Sequence, residues 1–155
     1  MSKKNETLSL QKIFDKAAVG MLRQGRKSQN GEPLECRYRG ADNCKCAVGF
    51  LIDDEYYDPY MEGPKIVVMK RKNDSSMEID PEYGRKRRSA WKALQKSGVD
   101  TSQEDVLELL GCLQRIHDIC YISEWPRSLL NLAQRYSLST KSIQRVIDEK
   151  GLAHG

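Results

Sequence analysis

Between residues 10 and 22 the apolar side chains fall at Leu10, Ile13, Phe14, Ala17, Ala18, Met21 and Leu22. These are the positions of one face of an α-helix, and a face this regular has to be buried against something. A second stripe, Val106, Leu109, Leu110, Leu113, His117 and Cys120 with Ile116 beside it, repeats the pattern in the last third of the chain. Two such stripes predict a core built mainly from helices. Ser9 suits the first helix as its N-cap and Gly25 as its stop. Thr101 with Glu104 and Ser102 with Asp105 form two overlapping capping-box patterns at the head of the second stripe. Ser123-Glu124-Trp125-Pro126 ends that helix and opens another over about 127–136, with Pro126 in the favoured first turn. A last helix over about 140–149 is stopped by Gly151.

The remainder is less regular. Runs 34–39 and 44–48, set about the turn residues Gly40, Ala41, Asp42 and Asn43, read as a β-hairpin after the polar loop 28–33. The apolar run 46–52 reads as the start of a helical turn, and 53–63 as an acidic, aromatic turn region. Ile66-Val67-Val68-Met69 has the makings of a short strand, 70–80 of a loop, and 82–96 of a basic helix carrying Trp91 and Leu94.

At 155 residues the chain suits one domain, divided here into a helix-plus-hairpin part (1–63), a basic insertion (64–103) and C-terminal helices (104–155). No stretch of 18 apolar residues and no signal-like leader occurs, so a cytoplasmic protein with no membrane partner is expected. Five cysteines without an export signal argue for free thiols in a reducing compartment. Net charge is +4, and all of the excess lies in the middle: residues 64–103 hold ten basic and five acidic side chains, while 1–63 hold ten of each and 104–155 six and seven. A local basic excess attracts polyanions.

Three patterns carry possible chemistry. Arg85-Lys86-Arg87-Arg88, followed by Trp91, Lys92 and Lys96, joins cations that neutralise phosphates to an aromatic able to stack on a base. Residues 129–147 have the layout of a helix-turn-helix, with Ser139 as cap, Ser137 where such turns usually have glycine, and Lys141 and Arg145 facing a groove; a plain helical hairpin explains the same layout. Cys36, Cys44, Cys46, Cys112, His117 and Cys120 lack paired C-x2-C spacing, so no metal site is assigned and most read as small buried hydrophobes. His117 reads as a core histidine held by one hydrogen bond. A nucleophile–base pair of His117 with Cys36 or Cys46, near Glu62, is the enzymatic alternative. The acidic group 53–62 lacks calcium-loop spacing, and phosphate-binding, dinucleotide, serine-hydrolase and zinc-protease motifs are all absent. No catalytic residue and no cofactor is assigned.

The string Cys36-Arg37-Tyr38-Arg39-Gly40, Lys45-Cys46-Ala47-Val48-Gly49-Phe50-Leu51-Ile52-Asp53-Asp54, Met61-Glu62-Gly63 and the later Leu113-Gln114-Arg115-Ile116-His117-Asp118 with Trp125 resembles a group of small bacteriophage and prophage proteins. The resemblance spans about two thirds of the chain and implies no catalytic residues, since the group has no settled activity. Phe50 stands where those proteins often carry cysteine, and the stretch from about Lys65 to Asp100 looks like an enlarged linker, a place where a specific activity is grafted on a scaffold.

The expectation is a mainly helical α+β domain acting by binding in a bacterial host cytosol. Its partner is nucleic acid or a nucleic-acid-handling host complex, held by Arg85, Lys86, Arg87, Arg88, Trp91, Lys92 and Lys96, with Lys141 and Arg145 secondary. The alternative is an inhibitor or adaptor of a host defence or transcription protein, and a cysteine-dependent enzyme is third.

Overall fold

The computed structural model describes residues 6–30, 35–66 and 81–152. The strand expected at 66–69, beyond Ile66 itself, and the loop 70–80 lie outside these residues. The fold is mainly helical α+β: α1 (Leu10–Gln24), β1 (Gln29–Asn30), β2 (Glu35–Cys36), α2 (Pro81–Lys96), α3 (Glu104–Ile119), α4 (Trp125–Arg135) and α5 (Lys141–Lys150). Four single 3₁₀ turns follow β2 between Ala41 and Met61, and a fifth, Ile122–Glu124, joins α3 to α4. Among the described residues no helix is long and apolar enough to cross a membrane.

α1 forms as its stripe dictates. Ser9 Oγ accepts the Lys12 amide and Gly25 closes the helix in the left-handed region. Ile13, Phe14, Ala17, Ala18, Met21 and Leu22 are all buried. α3, α4 and α5 pack against α1, and α5 lies chiefly on α1 rather than on α4. Residues of all three stretches of the chain enter one core, including Ala90, Leu94 and Val99, so the second half of the basic stretch is anchored within it. The Leu8 amide donating to the Gly98 carbonyl (2.7 Å) ties the chain end to the turn after α2.

The start of α3 is where expected, but neither capping box forms. Gln103 is the N-cap and makes no side-chain cap bond. Thr101 Oγ1 instead accepts from Gln95, and Ser102 gives both its amide and its hydroxyl to Asp100. Asp100 collects these donors and closes the α2–α3 turn before Thr101 or Ser102 can cap.

The hairpin is also different from expectation. Gly40 donates to the Cys44 carbonyl and Cys46 to the Tyr38 carbonyl, but only Arg39 and Lys45 form a bridge. The two-residue strands pair one turn earlier, Gln29 with Cys36 and Asn30 with Glu35, across the stretch read as loop. The cause is Glu62, a buried carboxylate that takes the amides of Tyr38 (2.9 Å) and Arg39 (3.1 Å) and the Tyr57 hydroxyl (3.0 Å). Amides engaged by a side chain are not available to a strand ladder. Gly49 packs so closely that a Cβ there would run into the Tyr38 carbonyl oxygen, and the Phe50 ring lies on Gly20 of α1, 2.6 Å from where a Cβ would stand. A larger residue at Gly20 would push Phe50 off the helix, and one at Gly49 would force the 49–51 turn away from the Tyr38 backbone.

Candidate nucleic-acid interface and the neighbouring cleft

α2 is held by one face and open on the other. Ala90, Ala93 and Leu94 are buried, while Arg85, Arg88, Lys92 and Lys96 recur at helix spacing on the exposed side. The bound face also fixes the loop before it: Trp91 Nε1 donates to the Ile66 carbonyl (2.8 Å) and Arg87 Nε to the Lys65 carbonyl (2.9 Å). Trp91 is therefore half-buried against the core with its polar atom engaged, and its ring is a strut rather than an open stacking surface. Arg87 works beside it, and Lys86 lies over the Tyr60 ring with its Nζ 5.2 Å from the centroid. Arg85 pairs with Glu82 at 2.8 Å. That pair holds the Glu82 carboxyl below, and the Arg85 guanidinium above, their ordinary pKa values, chiefly through the hydrogen bond between them. Lys96 stands over the Tyr56 ring at 5.7 Å. Arg88 and Lys92 make no ion pair among the described residues and are the freest cations of the face.

The aromatics that do face solvent beside this helix are Tyr60 (42% exposed) and Tyr83 (52%). Neither stands out in the sequence, because isolated tyrosines in a turn and in a first helical turn carry no periodic signal.

The helix pair 129–147 is present. α4 ends with Ser137 in the left-handed region at φ +54°, where Gly would be unstrained. Thr140 rather than Ser139 is the N-cap of α5, with Ser139 Oγ accepting the Lys141 amide at 3.3 Å. Lys141 and Arg145 are exposed, as sequence reading expected, but so are Asp148 and Glu149 on the following turn, and Glu149 pairs with Arg23. Gln11 exchanges two hydrogen bonds with the Ser139 backbone, and Lys150 Nζ caps the carbonyls of Leu22 and Arg23. The exposed face of α5 is thus of mixed sign and its ends are tied to α1.

Of the thiol and imidazole candidates, Cys36, His117 and Asp118 come together, their ligand atoms all within 4.8 Å of one another. His117 is fully buried and stacked on Trp125, with ring centroids 5.5 Å apart. Two partners, not the one expected, hold it: the Ser28 amide donates to Nε2 (3.0 Å), and Nδ1 lies 2.7 Å from Asp118 Oδ1. Because Nε2 accepts, Nδ1 carries the proton and donates to Asp118. A protonated nitrogen is no metal ligand, and a ring with both nitrogens engaged is not free to deprotonate a thiol. Burial and the Asp118 carboxylate push the Cys36 thiol above its ordinary pKa. Burial pushes Cys46, wholly enclosed, far higher. Both sulfurs are therefore neutral thiols at pH 7, the opposite of an activated nucleophile.

A cleft of about 640 Å³ opens between the segment around Arg37 and Tyr38, the strap 62–66 that α2 holds, and one face of α3. No protein family, curated protein or solved structure matches the chain.

Proposed function

We propose that this protein acts by binding, with nucleic acid engaged along the open face of α2, as a phage-type accessory protein working in a bacterial host cytosol. The observation that carries this reading is the arrangement of Arg85, Arg88, Lys92 and Lys96 on one exposed side of a helix whose opposite side is locked into the core. A rigid row of cations neutralises successive phosphates without first having to be ordered, and condensed counterions released from the polymer drive association. Tyr60 and Tyr83 border the row and supply apolar ring surface for bases. Lys141 and Arg145 on α5 are secondary contacts.

The test is a fluorescence-anisotropy titration with labelled single-stranded DNA, duplex DNA and RNA, comparing the native chain with the variant R85A/R88A/K92A/K96A. The reading expects saturable binding by the native chain and at least about a tenfold loss in the variant, or about 1.4 kcal/mol. Equal binding by both sinks it.

A second reading, an inhibitor or adaptor docking on a host protein, draws on one observation. Ile119, Tyr121 and Ile122 are exposed together at the turn between α3 and α4. Contiguous exposed apolar side chains mark protein contacts more often than polyanion contacts. Binding to a host protein that persists at high salt and is lost in I119D/Y121S would favour it.

A further inference from the structure

We propose that two copies of this chain associate through the outer face of α3, laid antiparallel about a two-fold axis that passes between Gly111 and Cys112.

α3 packs on α1 and α4 and buries Val106, Leu109, Leu110, Leu113 and His117 on one side. On the other side Glu104, Glu108, Arg115 and Ile119 are exposed, with Gly111 half-buried among them. Their spacing of three and four residues sets all five on one stripe. Ile119 is 68% exposed there. Gly111, at the middle of the stripe, has no side chain to hold a neighbour away, so a second helix can lie close to this face.

The order of charges selects which helix that is. Arg115 makes no ion pair among the described residues. Glu108 accepts the Tyr136 hydroxyl at 2.9 Å, a neutral donor, and pairs with no cation among the same residues. Within one chain the two do not meet, because seven residues of helix set them about 10 Å apart. Positions 108 and 115 lie equally far on either side of the point between Gly111 and Cys112. An antiparallel copy centred there sets Arg115 of each chain beside Glu108 of the other, and two ion pairs form at once. A foreign helix would need an acid and a base in that same order, whereas a second copy carries them by symmetry. The arrangement also lays Ile119 over the methylenes of Glu104 in the second copy. It brings the two Cys112 residues level with each other, separated by little more than the distance of about 8–10 Å between packed helix axes.

The face is independent of α2 and is tested without nucleic acid, by sedimentation velocity of the full chain over a range of concentrations. A monomer–dimer equilibrium is expected. R115E sets glutamate against glutamate at both pairs and is expected to weaken the dimer about tenfold or more. E108R/R115E restores both pairs with their signs exchanged and is expected to recover it. Since Arg115 is exposed and unpaired, R115E is expected to melt with the native chain. A short bismaleimide, which adds one thiol at each end, is expected to link two native copies through Cys112, and C112S to abolish the linked dimer. No dimer at any concentration, a dimer that R115E leaves intact, no recovery in E108R/R115E, or cross-linking that survives C112S would each overturn the proposal.

Discussion

His117 joins chain segments that are far apart in sequence, because its Nε2 takes the Ser28 amide while its ring lies on Trp125. H117F keeps a ring on Trp125 but leaves a buried amide unpaired. It is expected to cost about 1–3 kcal/mol, read from the denaturant midpoint; an unchanged midpoint would remove the bond from the account. Asp118 fixes the ring from the other side and also raises the Cys36 pKa by its charge, after burial. Alkylation of Cys36 by iodoacetamide at pH 7 is therefore expected to be slower than that of a free thiol, and D118N to speed it, as mass spectrometry of the labelled peptide would show. Tyr57 gives an alkaline signature. Burial, then the hydrogen bond to Glu62, pushes its phenol up to about 12. The raised value favours the protonated phenol in the folded state, so this contribution is fully present below pH about 10 and is lost as pH rises through 12. Y57F is expected to lose less stability than the native chain between pH 10 and 12 in thermal melts; parallel curves would contradict this. That His117 belongs to the core was legible from its place in the apolar stripe of α3. Its partner Ser28, 89 residues away, left no local signal.

The elements carrying a strong helical period were legible to within a residue or two: α1 with both caps, α4 with its first-turn proline, α5 with Gly151 as its stop. The hairpin was not, because its pairing is decided by Glu62, whose carboxylate takes amides 23 and 24 residues earlier in the chain. The α3 caps were misread for a similar reason, with Asp100 competing for Ser102. Local patterns specify local bonds only when no distant or stronger acceptor intervenes. The turn between α4 and α5 holds a testable strain. Ser137 occupies the left-handed region at φ +54°, a conformation that costs a non-glycine residue about 1–2 kcal/mol. Part of that gain is offset by glycine's greater freedom in the unfolded chain. S137G is expected to raise stability by about 0.5–1 kcal/mol, or about 1–4 °C in Tm; a drop in Tm would show that the Ser137 side chain contributes more than its backbone costs.

Across the whole molecule, charge and burial separate two regions. One core takes residues from every third of the chain, while the open side of α2 carries a row of cations. The charge excess in residues 64–103 was legible by counting, and it located the row correctly on a helix. Which side of that helix faces out was not legible, since alanines and a tryptophan among basic residues fit more than one orientation. The structure resolves it by burying Ala90, Ala93 and Leu94 and by engaging Trp91 with Ile66, so that the exposed rings are Tyr60 and Tyr83 instead. The cleft is legible only in part: Cys36, Cys46 and Glu62 stand out in the sequence as chemistry-bearing residues, but that the strap 62–66 and a face of α3 close around them is visible only in the fold.

The central claim, that the α2 face binds nucleic acid through its cations, is tested most directly by the salt dependence of affinity. With four phosphate contacts the slope of log K against log salt is about −3 to −4, so affinity falls by about 50- to 150-fold between 50 and 200 mM salt. Each cation removed from Arg85, Arg88, Lys92 and Lys96 should lower that slope by about 0.7–0.9, leaving the fourfold variant nearly insensitive to salt. A native slope near zero, or one that the four substitutions do not change, would contradict the account.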